Sequence, residues 1–148
     1  MARSGTVAVI GAGFYGSTTA QRLAEYDLFD TVVLTDIIEG RPEGLALDMN
    51  QARPVEGFET KIVGQTTGRD GSGYAAIAGS EVVVITAGVA RRPGMSRRDL
   101  VEVNARLLGQ VAESVERHAP QPRRNGGSHP RGDIAALGGV APGGPTHP

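Results

Sequence analysis

The segment Gly11-Ala12-Gly13-Phe14-Tyr15-Gly16 spaces three glycines as G-x-G-x-x-G. A β-branched run, Thr6–Ile10, precedes it and an apolar-periodic segment follows, so the glycines fall at a strand-to-helix turn. In such a turn Gly11 permits the tight bend, Gly13 lets the backbone approach a pyrophosphate, and Gly16 lets the helix pack close to the strand. The helix N-terminus adds attraction for the anion. The segment therefore reads as a phosphate cradle, with Ala12, Phe14 and Tyr15 completing it, although a glycine turn kept only for packing would look the same. Asp36 favours the first reading. It closes the run Thr31–Thr35, about 20 residues beyond Gly16, where a carboxylate accepts hydrogen bonds from ribose hydroxyls. The same charge repels a 2′-phosphate, so the expected cofactor is NAD rather than NADP.

A second group of reactive residues is AGVARRPGMSRRDL (87–100), which holds Arg91, Arg92, Arg97 and Arg98. Solvated loop charges account for it. So does a clamp in which planar guanidinium groups grip carboxylates through paired hydrogen bonds. The residues alone leave both open. His118 falls at the end of a helix, where an imidazole near the last carbonyls has a structural explanation. His129 and His147 fall in a Gly/Pro-rich tail. With no cysteine in the chain, thiolate nucleophiles, thiolate metal sites and disulfides are excluded, and no metal site is expected.

These residues need elements to carry them. Strands are expected at Thr6–Ile10, Thr31–Thr35, Thr60–Val63 and Glu81–Thr86, and helices at Thr18–Tyr26, Pro42–Gln51 and Arg98–His118. GRDGSG (68–73) reads as a mobile surface loop, and Gly88–Ser96 as a Gly/Pro-punctuated one. Strand alternating with helix implies α/β architecture, a doubly wound parallel sheet of about four strands covered on both faces. A chain of 148 residues accommodates one such core, and a net charge of −1 argues against a nucleic-acid binder. No apolar run is long enough to span a membrane, and residues 1–5 leave no room for a signal peptide before the first strand, so a cytoplasmic protein is expected.

Five segments carry a family resemblance: GAGFYGSTTAQRLA, VVLTDI, EGLALDM, ITAGVARRPGMSRRDL and VNARLL. Over about residues 6–120 the chain resembles the malate dehydrogenases of the lactate/malate dehydrogenase family, in the lactate-dehydrogenase-like subgroup. The resemblance implies a partial Rossmann-type domain for residues 1–120. It also implies NAD as cofactor, malate and oxaloacetate as substrates, a place in the tricarboxylic acid cycle, and a homo-oligomer. Gly11, Gly13, Gly16 and Asp36 match the family's pyrophosphate loop and ribose acid, and Asn104 matches a cofactor-contacting asparagine. Arg91 falls at the specificity position, where malate enzymes carry Arg and lactate enzymes Gln. Arg97 matches the arginine that polarises the substrate carbonyl. Phe14-Tyr15 departs from the more usual Asn-Val, and both are expected to face the helix start with little loss.

The family's catalytic His and Asp belong to its second half and have no counterpart here, so the chain is expected to be inactive as written. In residues 121–148, 12 of 28 are Gly or Pro and only Ile134, Leu137 and Val140 are large aliphatics. That composition predicts disorder. GGSHPRGD echoes the family's catalytic Gly-x-His-Gly-Asp segment but comes too early to serve. With a GC-leaning choice of codons, Arg123–Arg131 read one nucleotide later yields a valine-rich strand like the one the family has next. Residues 121–132 are therefore expected to be out of frame, 133–137 back in frame and 138–148 shifted again. A stand-alone, non-catalytic NAD-binding module is the alternative reading, and a lactate dehydrogenase fragment is disfavoured by Arg91.

Overall fold

In the computed structural model, residues 2–119 and the backbone of residues 123–126 are described. The chain runs β1 (Thr6–Ile10), α1 (Phe14–Glu25), β2 (Thr31–Asp36), α2 (Arg41–Glu56), β3 (Lys61–Thr66), a 3₁₀ turn (Tyr74–Ile77), β4 (Val82–Ile85), α3 (Arg97–His118) and β5 (Arg123–Gly126). All strands are parallel, in the order β3-β2-β1-β4-β5.

Both faces of the sheet are covered, which is why its central strands read as unbroken apolar runs. Alternate residues divide between the faces. Val7, Val9, Val32 and Leu34 pack with Ala20 and Ala24 of α1 and Ala46 of α2. Ala8, Ile10, Val33 and Val83 pack with Val111 and Val115 of α3 and with Tyr74 and Ile77. The alanines of α1 face inward because only small side chains let that helix sit close to the strands. Leu34, Ile77 and Val115 are completely buried, so truncating Leu34 or Ile77 to alanine costs about 2–5 kcal/mol.

The four expected strands are present, and β4 is not left bare. Main chain at Arg123–Gly126 pairs along it, Val83 meeting Arg124 and Ile85 meeting Gly126. Within residues 123–126 the main chain thus supplies the margin beside β4. The physical reason is that a strand edge offers N–H and C=O groups to any returning backbone, whatever its side chains. Residues 127–148, with the expected frame changes and His129 and His147, lie outside the described residues. The opposite edge is treated differently. The side-chain amide of Asn50 accepts from Ile62 N at 3.1 Å and donates to Ile62 O at 2.7 Å, standing in for a neighbouring strand.

The loop at 68–73 closes on itself. Gly68 N donates to Ser72 O at 2.9 Å, and Asp70 Oδ1 accepts from both the amide and the hydroxyl of Ser72. No described helix is long and apolar enough to cross a membrane.

Candidate dinucleotide site

The sheet order places β1 between β2, which follows it through α1, and β4, which the chain reaches only after β3. Chain connections diverge there, and the carboxyl ends of the strands open a crevice in which ligands of such sheets bind. The glycine turn, Asp36, the end of β3 and the arginine loop all leave from those ends.

Each glycine has a distinct steric reason. Gly11 has φ +105°, a conformation that side chains rarely adopt, and a Cβ there would lie 2.8 Å from Ala87 N. At Gly16 an added Cβ would lie 1.7 Å from Gly11 O and 2.5 Å from Thr86 Oγ1, so α1 rests directly on the turn. At Gly13 the same construction meets nothing within 4 Å. Gly13 is also the N-cap of α1 and supplies no side-chain cap, so the first-turn N–H groups are left for water or a ligand. Open space and uncapped amides together suit a pyrophosphate.

Asp36 is drawn into the same turn. Its Oδ2 accepts from Ala12 N at 2.6 Å and its Oδ1 from Ile38 N at 2.9 Å. Beyond it, Ile37, Glu39, Gly40, Glu43, Thr66 and Thr67 border an open cleft of about 600 Å³. Glu43 braces this cleft, accepting from the amide and the hydroxyl of Thr66, the latter at 2.8 Å. These bonds hold its carboxyl below the usual carboxylate range, although burial works against them. A smaller cleft of about 260 Å³ lies between α1 and α2 and contains none of the candidate site residues.

Phe14 and Tyr15 point away from the protein, 98% and 61% exposed. Their backbone belongs to the cradle, while their side chains are spectators to the packing. Arg91 and Arg97 are exposed on the loop that follows β4 and at the start of α3. Arg91 Nε donates to Met95 O at 3.1 Å, a bond within the loop. Of the other loop arginines, Arg98 reaches Glu102 at 3.5 Å, and neither Arg91 nor Arg97 has an acidic partner among the described residues.

Asn104, expected at the cofactor, is only 4% exposed and is committed to protein. It accepts from Val89 N at 2.7 Å and donates to Val89 O at 3.3 Å, fixing the root of the arginine loop. Thr86, which no sequence motif marks, has its hydroxyl 2.9 Å from Gly11 O and 3.1 Å from Ile10 O. In the sequence it is simply the last residue of EVVVIT, and its partner lies 75 residues away, so no local pattern marks it. His118 is at the end of α3 as expected, its Nδ1 2.8 Å from Ser114 O.

The family described as lactate/malate dehydrogenase, NAD binding domain, matches residues 5–125. A malate dehydrogenase from Methanosarcina mazei is 49% identical over 114 residues, covering 77% of this chain and 35% of the relative. One from Bacillus cytotoxicus is 50% identical over 116 residues, with the same coverage of 77% and 35%. The chain thus spans 35% of the length of these curated relatives. Among solved structures, the apo malate dehydrogenase of Picrophilus torridus superposes with a TM-score of 0.83 at 37% identity, covering 93% of this chain and 43% of that one. The Archaeoglobus fulgidus malate dehydrogenase, solved in complex with NADH, gives 0.75 at 34% identity, covering 84% and 40%.

Proposed function

The chain belongs to the lactate/malate dehydrogenase family, by its NAD binding domain, and from that premise we propose that residues 1–120 are the NAD-binding half of a malate dehydrogenase. One observation carries the reading: the open flank of Gly13 beside the uncapped start of α1, with Asp36 bonded into the same turn. When bound, NAD supplies the hydride acceptor for converting (S)-malate to oxaloacetate. The chain's own residues do the rest of the holding. Gly11, Ala12, Gly13, Phe14, Tyr15 and Gly16 present backbone to the pyrophosphate, and Asp36 takes the ribose. Asn104 serves the site by anchoring Val89 and with it the arginine loop.

Arg91 and Arg97 are the substrate-facing residues of this reading. Both are exposed cations without an acidic partner among the described residues, so each guanidinium fork is available to a carboxylate or carbonyl oxygen. Arg91 selects a second substrate carboxylate, which favours oxaloacetate over pyruvate, and Arg97 polarises the carbonyl. The general base and its orienting carboxylate belong to the family's second half, so the 148 residues bind cofactor without turnover. The whole enzyme is cytoplasmic and a homo-oligomer in this reading.

A second reading has one specific observation behind it. Main-chain pairing at Arg123–Gly126 closes the β4 edge, as a stand-alone NAD-binding module would need. Calorimetric titration with NAD, beside a malate-oxidation assay on the same preparation, tests both readings. Binding without turnover is expected, with NADP at least about tenfold weaker, a difference of 1.4 kcal/mol, because Asp36 repels the 2′-phosphate. Absence of NAD binding would sink the assignment, and substantial turnover would overturn the requirement for the second half.

A further inference from the structure

Two side chains from different strands grip a single peptide unit in the glycine turn. The peptide joining Gly11 to Ala12 has its carbonyl oxygen 2.9 Å from the hydroxyl of Thr86, at the end of β4. Its N–H donates to Asp36 Oδ2 at 2.6 Å, at the end of β2. These residues lie 75 and 24 positions from their partners, and they reach the turn from the two strands that flank β1. We infer that Asp36 and Thr86 form a clamp that fixes the plane of this peptide before any ligand arrives, making both of them positioning residues for the pyrophosphate seat. The inference rests on the reading of this turn as a dinucleotide cradle.

Three physical points support it. Gly11, at φ +105°, has the conformational freedom to let the following peptide flip, so the plane needs external restraint. Ala12 is 3% exposed, so its N–H would be left without water if the carboxylate were removed. The bond to Asp36 is short and charge-assisted, the stronger class of hydrogen bond. Nor does the clamp exhaust the carboxylate. Two oxygens offer about four acceptor directions, and Ala12 and Ile38 use two, leaving room for the ribose hydroxyls. One side chain thus shapes the phosphate seat and meets the neighbouring sugar.

The clamp separates two roles that binding of NAD alone would merge. ADP carries both ribose hydroxyls, and 2′,3′-dideoxy-ADP carries neither. If Asp36 acted on the sugar alone, Asp36→Ala would leave dideoxy-ADP binding unchanged, or tighten it by removing a negative charge near the diphosphate. The clamp requires instead that Asp36→Ala and Thr86→Val each weaken dideoxy-ADP about tenfold. ADP should lose more than dideoxy-ADP in the Asp36 variant only. Amide exchange of Ala12, measured by NMR on the ligand-free 148-residue chain, should speed up about tenfold or more in Asp36→Ala. Asp36→Asn keeps one acceptor oxygen and should fall between, which also guards against a variant that fails to fold. Unchanged Ala12 exchange, or unchanged dideoxy-ADP affinity in a folded Asp36→Ala, overturns the clamp. If the unmutated chain binds neither nucleotide, the dinucleotide reading fails, and Ala12 exchange still decides the clamp.

Discussion

At the scale of single residues, Gly13 and Gly16 make a controlled pair, because the same added methyl group meets opposite surroundings. Gly13 has an ordinary φ of −72° and no neighbour within 4 Å of a new Cβ, so Gly13→Ala should fold with an unchanged melting temperature. The methyl would occupy the space a pyrophosphate needs, and calorimetry should show NAD affinity reduced by more than about tenfold, or 1.4 kcal/mol. Gly16→Ala forces a contact of 1.7 Å with Gly11 O, so α1 must lift from the turn. A loss of about 1–3 kcal/mol or more is expected in urea unfolding. Wild-type NAD affinity in Gly13→Ala would remove the main support for the cradle. The glycines and Asp36 were legible in the sequence because their spacing encodes a local backbone shape. Thr86 and the attachment of Asn104 to Val89 were not, since each depends on a partner brought near only by folding.

At the scale of elements, strands were located to within a residue except at the end of β3, which runs to Thr66 rather than Val63, and helix ends less well. The sequence places the first helix at Thr18, yet α1 begins at Phe14. Glycine is a poor helix former, and the exposed Phe14 and Tyr15 break the apolar periodicity, so the first turn gives no signal. The sequence places the end of the second helix at Gln51, but α2 continues to Glu56, through Pro54. The proline sits in the last turn, where it forfeits one hydrogen bond, and Gly57 at φ +78° closes the helix by donating to Arg53 O. The sequence places the start of the third helix at Arg98, and α3 begins one residue earlier, at Arg97, behind Ser96-x-x-Asp99. Ser96 Oγ accepts from Asp99 N at 3.1 Å while Asp99 Oδ2 accepts from Ser96 N at 2.9 Å, a reciprocal cap. Ser96→Ala should cost about 1 kcal/mol in thermal unfolding. The same change should raise amide exchange in the first turn of α3, where Arg97 begins the helix.

At the scale of the whole molecule, the end of the sheet opposite the cofactor crevice depends on one carboxylate. Asp27 is the only described non-glycine residue with positive φ, +54°, and it follows Tyr26, the C-cap of α1. Its Oδ1 accepts from Glu59 N, Thr60 N and Thr60 Oγ1, tying the α1–β2 turn to the segment that leads into β3, and Arg3 reaches its Oδ2 at 3.0 Å. Partial burial works to raise its pKa, but the donors outweigh burial and hold it at about 2 against an ordinary 3.8. A carboxyl whose folded pKa is depressed contributes stability above its unfolded pKa and loses it as the pH falls through the folded value. Unfolding midpoints should therefore drop between pH 4 and pH 2, and Asp27→Asn, less stable at neutral pH, should show a shallower fall over that interval. An equal slope in the variant would assign acid sensitivity to other carboxyls. The two margins of the sheet carry a different consequence. Asn50 occupies the hydrogen-bonding groups of Ile62 on one side, and on the other the apolar Val-Val-Val-Ile of β4 gives way to a margin whose sequence is Arg-Arg-Asn-Gly. Among the described residues, a second copy approaching the β3 margin would find the groups of Ile62 already taken. One approaching the other margin would meet a polar sequence rather than an apolar one, and both weigh against growth of this sheet from copy to copy.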